Sequence, residues 1–367
     1  MIKFIKENYD VRYNTVQGRI ELKNKNEKED FEFLTDRKAN SILVEMKNTG
    51  VKCSHSELHT LLNSDYAENY DPISEYVESI EEWDGSDHID VLAQTVKVNN
   101  QEYFNWAFKK WFVAMVACAT DLEVTNHCAF VLVGQQGCGK TTWIENLIPD
   151  ELKPYLVSKS INPSSKDSVL LLSEKILINM DELANFNSKQ IEAYKELITK
   201  TKITERRVYE RFSNNFPRRA SFAATTNHES ILPDQSGNRR FLVFKAEKID
   251  YEAIINLRQA YAQARSLIEA GFKHYFDRDD QRRVEIENER FRQVSSEEEL
   301  ILQYFEVPNE DEDDVRYMNS TELIYYLRKI SQSWVRINVV TLGKVMTALG
   351  FDTMKKDGLK KYIVKLK

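Results

Sequence analysis

Residues 134–142 read GQQGCGKTT and directly follow the apolar run CAFVLV at residues 128–133. The pattern G-x-x-x-x-G-K-T is typical of a loop that binds nucleotide phosphates, with the lysine on the β and γ phosphates. Such a loop leads directly into a helix, so its backbone N–H groups and the helix dipole favour a bound anion. We therefore predict a nucleotide site formed by Gly134, Gln135, Gly137, Cys138, Gly139, Lys140, Thr141 and Thr142.

Polar residues follow two further apolar strands in the order that an ATPase of the additional-strand type requires. KILINM ends at Asp181, 41 positions after Lys140, and RASFAATTN ends at Asn227, 46 positions later. Ligands bind beyond the carboxyl ends of parallel strands, where these side chains are expected to meet. We predict that Thr141 and Asp181 hold Mg²⁺, that Glu182 activates the attacking water, and that Asn227 senses the γ phosphate of ATP.

Two arginines, Arg239 and Arg240, follow Asn227 by 12 and 13 positions. The charge that develops on a transferred phosphoryl group is stabilised by a guanidinium, which acts either from the same chain or from a neighbour. In ring ATPases the neighbour supplies it. We therefore predict a homo-oligomeric closed ring with head-to-tail interfaces, which close only under cyclic symmetry.

The segment between Glu182 and Asn227 is rich in bases interleaved with aromatic residues. Basic groups beside aromatics suit a single strand whose phosphates are neutralised and whose bases are stacked. The alternative is an interface that pairs with acidic residues of the next subunit. The candidate DNA contacts of this segment are Lys200, Lys202, Arg206, Arg207 and Arg211.

The carboxyl-terminal part of the chain has an uneven charge distribution. The formal net charge is −7, yet residues 295–314 contain nine acids and no base, and residues 315–367 contain eleven bases and three acids. This split indicates a linker and a separate basic module. Two amphipathic helical patterns and a final hairpin predict a winged helix that binds DNA or, alternatively, docks a partner protein. Its predicted DNA contacts are Lys355, Lys356, Lys360 and Lys361.

Composition excludes several classes of protein. The apolar stretch WFVAMVACA, residues 111–119, is far shorter than a membrane span, and the first residues contain no apolar signal-peptide region. Four cysteines without a C-x-x-C pair suit a reducing compartment, so we expect a cytoplasmic protein without membrane contact. Cys53, His55 and His59 lack a fourth zinc ligand, and Ser54 with Glu57 is better interpreted as a helix capping box.

The ordered motifs YDPISEYVESIEEWDG, VLVGQQGCGKTTW, INMDEL, ITERRVYERF, PRRASFAATTN and SGNRRF resemble the virulence-associated E (VapE) family. This family comprises superfamily 3-like helicase ATPases of phages and other mobile elements, related to the poxvirus primase-helicases. The resemblance spans residues 71–244. It implies an AAA+-like core, a hexameric ring, ATP hydrolysis and DNA unwinding in replication of the element. Primer synthesis, if required, would then come from a separate primase.

The expected fold is α/β, with an AAA+ or superfamily 3 helicase-like P-loop NTPase core built on a parallel sheet, a helical amino-terminal region and a carboxyl-terminal winged helix. The predicted regions are a small α+β region at 1–70, a helical domain at 71–125, the ATPase core at 126–250, a helical extension at 251–294, an acidic helix or linker at 295–314 and the basic module at 315–367.

Three hypotheses for function remain at this stage. The first is an ATP-dependent ring helicase or translocase acting on single-stranded and forked DNA during replication of a phage or mobile element. The second is an ATP-switched DNA-binding or assembly ATPase, for interference or defence, that does not unwind processively. The third, a small-molecule phosphotransferase, fits less well because the pair Asp181 and Glu182 suits water activation and a basic tail has no evident use in a kinase.

Overall fold

The computed structural model describes residues 1–28, 30–181, 188–207, 212–232, 238–308, 314–331, 337–356 and 358–367. The chain divides into two compact units. The first comprises Met1–Ile231 and Ser236–Phe291, and the second comprises Leu232–Gln235 and Arg292–Lys367. No helix within these described ranges combines the length and apolar character needed to cross a bilayer.

The first unit begins with a small sheet packed against three helices. The strands have the order β3-β2-β1-β4, and β1 and β2 form the expected antiparallel hairpin. Ser54 and Glu57 form the predicted capping box at the start of α3. The elements are α1 (Ile2–Asn8), β1 (Tyr9–Asn14), β2 (Arg19–Asn24), β3 (Glu32–Phe33), α2 (Asp36–Asn48), α3 (His55–Leu62) and β4 (Glu68–Tyr70).

A long buried helix then joins the following region to the central sheet. The aromatic stripe of Phe104, Phe108 and Phe112 is fully buried, as the helical spacing predicts. These rings share one hydrophobic cluster with Phe130 and Phe244 of the central sheet, so the boundary drawn from the sequence at residue 125 crosses a common core. The elements of this region are α4 (Pro72–Ser79), α5 (His88–Ala93), β5 (Val96–Val98) and α6 (Gln101–Thr120).

The central sheet has six strands in the order β5-β12-β6-β11-β8-β7. All neighbouring pairs are parallel except β5 with β12. Strand β11 therefore lies between β6, which leads into the glycine loop, and β8, which precedes Asp181. The elements are β6 (Ala129–Val133), α7 (Lys140–Glu145), β7 (Leu156–Ser158), α8 (Lys166–Glu174), β8 (Leu177–Met180), α9 (Ser188–Thr199), β9 (Lys202–Glu205), β10 (Asn214–Pro217), β11 (Ser221–Thr226) and β12 (Phe241–Ile249).

Two helices, α10 (Leu257–Glu269) and α11 (Arg278–Asn288), complete the first unit. The buried side chain of Gln259 accepts a hydrogen bond from the backbone N–H of Asp84 over 2.9 Å, and that of Gln263 accepts one from Ile89 over 2.8 Å. Buried amides need partners, and these bonds satisfy the backbone around the W-D-G turn. Helix α10 thereby fixes the start of the region that leads to α6.

The described residues of the second unit form three helices and an antiparallel sheet centred on its last strand, which pairs with the other three. Leu323, Leu342 and Val364 lie in its separate hydrophobic core. The elements are α12 (Ser296–Tyr304), β13 (Phe305–Glu306), β14 (Arg316–Met318), α13 (Ser320–Ser331), α14 (Val339–Ala348), β15 (Thr353–Lys356) and β16 (Leu359–Leu366).

The segment predicted as an acidic helix or linker contains helix α12, which is a core element of the second unit. Ile301 of α12 is fully buried in its core. Glu297 is buried and accepts a hydrogen bond from the backbone N–H of Asn338 over 2.8 Å. Glu298 is also buried and forms a bidentate ion pair with Arg292. The acidic run concealed this role because charge alone does not distinguish a solvated carboxylate from a buried, paired one.

Candidate functional site

The carboxyl ends of three neighbouring strands bring the predicted nucleotide residues together. Thr226 at the end of β11 pairs with Val133, the last residue before the glycine loop, and Ala224 pairs with Met180, the last residue before Asp181. This register places the glycine loop, Asp181 and Asn227 at one edge of the sheet. The expectation that polar groups meet where these strands end is therefore met by their arrangement.

The glycine loop depends on backbone conformations that other residues adopt at a cost. Gly137 has φ +78° and Gly139 has φ +88°, both in the left-handed region. A Cβ atom on Gly139 would lie 2.1 Å from Cδ1 of Tyr251, so the Tyr251 ring closes the loop from one side. The backbone N–H of Gly134 donates to the Thr226 carbonyl over 3.1 Å and fixes the loop to β11.

Lys140 connects the loop to the end of β11. Its side chain is only 7% exposed, and its ammonium group donates to the carbonyls of Gly134 and Gln135 over 2.8 and 2.7 Å. It also donates to Oδ1 of Asn227 over 3.0 Å and lies 3.8 Å from the Cys138 sulfur. A buried ammonium needs such acceptors, and it is held where an anion above the loop would be its natural partner.

Asp181 lies beside two hydroxyl groups. Its Oδ1 is 3.5 Å from Oγ1 of Thr141 and accepts a hydrogen bond from the hydroxyl of Thr225. Hydroxyl and carboxylate oxygens are donors that Mg²⁺ prefers, so these residues fit the predicted metal. Among the described residues there is no group of three or more His, Cys, Asp or Glu that could hold a metal. Glu182, the predicted base, lies outside the described residues.

These residues line a cleft of about 330 Å³. Four of its residues were not singled out from the sequence: Gln136, Thr225, Thr226 and Tyr251. Thr225 had a signal, since it lies in the T-T-N end of an apolar strand, whereas no local pattern links Tyr251 to the loop. Gly134, Gln135 and Cys138, which were predicted to bind nucleotide, are not part of the cleft lining and instead contact Lys140. The lining comprises Gln136, Gly137, Gly139, Lys140, Thr141, Thr142, Asp181, Thr225, Thr226, Asn227 and Tyr251.

Arg239 and Arg240 lie at the opposite edge of the sheet. They end a short 3₁₀ helix directly before β12, and Phe241 pairs with Ala129 at the amino-terminal end of β6. The length of β6 alone, roughly 13 Å, separates them from the glycine loop. Neither arginine can contact a phosphate held by Lys140 of the same chain, which removes the same-chain alternative for the predicted finger.

Comparison with known proteins agrees with this architecture. The model of the virulence-associated protein E-like domain matches residues 77–293, more than half of the chain. The chain belongs to this family. Two solved structures of the NrS-1 C-terminal region, the apo structure of residues 305–718 and the A form, are similar to it. Each has 12% sequence identity and a TM-score of 0.52, and the match covers 100% of this chain and 98% of the other, which shows a common fold. Comparison with curated proteins gives no match.

The basic segment of the VapE-like domain forms an antiparallel hairpin from β9 and β10. Lys200, Lys202 and Arg206 are exposed on and beside it, and Phe212 is 77% exposed. Arg211 lies outside the described residues. Three of the five predicted contacts in this segment are thus accessible to a ligand.

The structure corrects the prediction that Arg207 contacts DNA. Arg207 is only 9% exposed, and its guanidinium contacts residues of the VapE-like domain and of the preceding hairpin. It donates to the carbonyl of Val16 over 2.8 Å, lies 3.4 Å from the Glu174 carboxylate and stacks 4.4 Å from the centre of the Phe216 ring. Burial raises the pKa of Glu174, an effect that Arg207 opposes. Arg207 therefore joins the amino-terminal region to the domain and is not available to nucleic acid.

A second buried arginine, Arg218, links the end of α9 to the start of β11. Arg218 is fully buried and donates to the carbonyls of Leu197, Lys200 and Ala220 over 3.2, 3.0 and 2.9 Å. Unpaired carbonyls at a helix end carry partial negative charge, so this guanidinium caps α9 and ties it to the strand that carries Asn227. Burial lowers the pKa of Arg218 to about 10.

The four lysines of the carboxyl-terminal hairpin lie outside the VapE-like domain and do not form one surface. Lys355 pairs with Lys360 across β15 and β16, whereas Met354 pairs with Lys361 and Lys356 with Leu359. Side chains alternate between the faces of a strand and directly paired residues share a face. Lys355 and Lys360 therefore lie on one face, and Lys356 and Lys361 on the other, so the hairpin carries its four predicted DNA contacts as two separate pairs.

Proposed function

We propose that this chain is an ATP-dependent, ring-forming DNA helicase or translocase that serves replication of a phage or mobile genetic element. The observation that carries the proposal is that Lys140, Thr141, Asp181 and Asn227 line one cleft. Strand β11 lies between β6, which leads to the loop with Lys140, and β8, which leads to Asp181. We interpret this arrangement as a P-loop NTPase core of the additional-strand type.

The proposed roles follow from the contacts in the cleft. Backbone N–H groups of the glycine loop and the ammonium of Lys140 bind the phosphates of ATP, and Tyr251 borders the loop beside Gly139. Thr141 and Asp181 hold Mg²⁺, which supplies positive charge to the phosphate oxygens when bound. The hydroxyl of Thr225 orients the Asp181 carboxylate, and Asn227 contacts the γ phosphate. We retain Glu182 as the proposed base for the attacking water.

The position of Arg239 and Arg240 supports a ring. A site assembled only from one chain lacks a guanidinium near the γ phosphate in the described part of the cleft, and these arginines are at the far edge of the sheet. A head-to-tail neighbour can bring them to the cleft, and such contacts close under cyclic symmetry. We propose a homo-oligomeric ring, with six subunits as the family resemblance implies.

Two features support DNA as the substrate. The β9–β10 hairpin combines exposed Lys202 with nearby Arg206 and the exposed ring of Phe212, a combination suited to a single strand. The described elements of the second unit follow the order helix, two strands, helix, helix and β-hairpin, which we interpret as a winged helix.

Strand displacement on a forked DNA substrate, with ATP and Mg²⁺, tests the proposal. We expect displacement that requires ATP hydrolysis and is lost in Lys140→Ala. The matched control is Lys52→Ala, which removes an exposed lysine of the amino-terminal region. ATP turnover without displacement would overturn unwinding in favour of an ATP-switched DNA-binding or assembly ATPase. Absence of both turnover and nucleotide binding would overturn the ATPase assignment itself.

A further inference from the structure

The second unit contains an open groove of about 750 Å³ between β14, α13 and the terminal hairpin. This volume is within the range that ligand sites occupy in proteins. The groove is distinct from the nucleotide cleft, since every residue that lines it belongs to the second unit. Its lining includes Arg316, Tyr317, Glu322, Tyr325, Lys356 and Lys361.

Two tyrosines give the groove aromatic surface. Tyr325 projects from α13 with 69% of its surface exposed, so its ring is accessible from the groove. Tyr317 of β14 pairs with Ile363 of β16 and therefore shares its face of the sheet. Lys361 is two residues from Ile363 on the same strand, so Tyr317 and Lys361 lie on one face. The groove therefore offers planar rings from a helix and from a sheet.

Three basic residues line the same groove as these rings. Lys356 places its ammonium 4.2 Å from the centre of the Tyr317 ring, and Arg316 and Lys361 line the same groove. The acidic residue of the lining, Glu322, accepts the backbone N–H of Asn319 over 2.7 Å and so serves the amino-terminal cap of α13. The net charge of these four lining residues is positive, which favours an anionic ligand.

Helix α14 has a different surface from the groove. In a winged helix the corresponding helix reads base edges in the duplex major groove with its amino-terminal residues. Here those residues are Val339 and Val340, the latter 68% exposed, and Lys344 is the single base in the α14 sequence. Valine side chains at this position offer no charge to the phosphates of a duplex. The chemistry suited to nucleic acid lies instead on the side of β14 and α13.

We propose that this groove binds single-stranded nucleic acid, with bases stacked on Tyr325 and Tyr317 and phosphates held by Arg316, Lys356 and Lys361. Base stacking on aromatic rings combined with cations along the backbone is the general mode of single-strand binding. The inference rests on the proposed function only in taking nucleic acid as the ligand. Binding at this groove requires no ATP. Lys355 and Lys360 lie on the opposite face of the hairpin and are not part of the proposed site.

The test uses the full chain without ATP and a thymidine single strand of about 16 nucleotides, the upper end of the site sizes of single-strand binding folds. Binding is measured by fluorescence anisotropy over a salt series. We expect Tyr325→Ala to weaken binding about 10-fold, because one stacked base contributes about 1–3 kcal/mol. We expect the pair Lys356→Ala and Lys361→Ala to reduce the salt slope by about 1.4, at about 0.7 for each phosphate contact.

The matched control is the pair Lys355→Ala and Lys360→Ala, which removes the same charge from the opposite face of the same hairpin and should change the slope little. A second readout identifies the site directly: a strand containing 5-iododeoxyuridine is photocrosslinked and the attached peptide is mapped. Crosslinks at Tyr317 or Tyr325 support the proposal. Equal effects of the two lysine pairs, crosslinks confined to the first unit, or equally strong competition by duplex DNA would each overturn it.

Failure of this inference and failure of the proposed function give different results. Lys140→Ala should keep the crosslink at Tyr325 while ATP turnover disappears. A chain that binds the strand at Tyr325 yet never hydrolyses ATP retains the groove assignment and loses the helicase. A chain that unwinds forks without a crosslink in the groove retains the helicase and loses the groove.

Discussion

The ammonium group of Lys140 and the side-chain oxygen of Asn227 lie 3.0 Å apart, although the residues are 87 positions apart in sequence. The bond joins the glycine loop to the end of the inserted strand β11. It also gives Asn227 a defined position beside the group that we propose binds phosphate. A change at Asn227 should therefore affect turnover more than the fold.

We expect Asn227→Ala to lower kcat for ATP hydrolysis by about 100-fold or more, since removing one positioned polar group at a reacting centre typically has this effect. Nucleotide affinity should change much less, because the loop and Lys140 remain. Steady-state ATPase assays and fluorescent nucleotide titration measure the two quantities. Asn26→Ala, at an exposed site in the amino-terminal region, is the control and should behave as wild type. A loss of affinity equal to the loss of kcat would contradict the assigned role.

The two left-handed glycines of the loop should differ in their tolerance of a methyl group. Gly139→Ala would place Cβ 2.1 Å from Tyr251, whereas a Cβ at Gly137 meets nothing within 4 Å. Both substitutions carry the conformational cost of a positive φ, about 1–3 kcal/mol, but only the first also displaces the ring. We expect Gly139→Ala to abolish nucleotide binding and Gly137→Ala to weaken it moderately.

Equilibrium titration with a fluorescent ATP analogue distinguishes these outcomes. Tyr251→Ala in the Gly139→Ala background should recover part of the affinity, because it removes the steric clash and leaves the backbone strain. Equal losses in the two single variants would show that the contact with Tyr251 has no importance for the loop.

Adjacent arginines should have separate effects. Arg207→Ala removes a buried partner of Glu174 and the bond to Val16, and we expect it to lower the free energy of unfolding by about 3 kcal/mol. Arg206→Ala changes an exposed side chain and should leave stability unchanged while weakening single-strand binding. Urea unfolding and anisotropy together test the pair. The assignment fails if Arg206→Ala destabilises the chain as much as Arg207→Ala does.

Mixing of subunits tests the ring. A variant with Arg239→Ala and Arg240→Ala and a variant with Lys140→Ala should each be inactive alone. In equal mixtures, roughly a quarter of the interfaces would join an intact cleft to an intact pair of arginines, so roughly a quarter of the ATPase activity should return. Mixtures that stay inactive after confirmed co-assembly would contradict a finger provided by the neighbour.

The amino-terminal cap of α11 predicts one pH effect. Hydrogen bonds from the backbone N–H groups, chiefly that of Asp280, followed by the bond from Lys273, lower the pKa of Asp277 to about 2. Its folded pKa lies below the ordinary value of 3.8, so this stabilisation is present above about pH 4 and is lost as pH falls towards 2.

We expect Asp277→Asn to melt below wild type at neutral pH, because asparagine keeps the cap geometry and removes the charge at the helix start. The difference in melting temperature should stay constant down to about pH 4 and shrink below it. Melting curves collected from pH 7 to pH 2.5 test this. A difference that is independent of pH would show that the Asp277 charge does not stabilise the fold.

Local patterns predicted the elements and the positions where strands end. The α6 stripe, the glycine loop, Asp181 after β8 and Asn227 after β11 each depend on neighbouring sequence, and all occur where the patterns indicated. The two lysine faces were also within reach of the sequence, because Lys355 and Lys356 are adjacent and a strand alternates its faces.

Long-range packing accounts for what the sequence did not reveal. Arg207 is buried by a hairpin 191 positions earlier, and Tyr251 closes a loop more than a hundred positions before it. The buried carboxylates of Glu297 and Glu298 likewise depend on Asn338 and Arg292. No local pattern carries such information, since each contact exists only after distant elements have packed.

The central sheet separates the cleft around Lys140 from Arg239 and Arg240 by the full length of its strands. In the proposed ring, each subunit has an incomplete active site at one edge of its sheet and provides the arginines for the active site of its neighbour at the other edge. Monomers would then not hydrolyse ATP, and hydrolysis would begin only after a ring has assembled around a DNA strand.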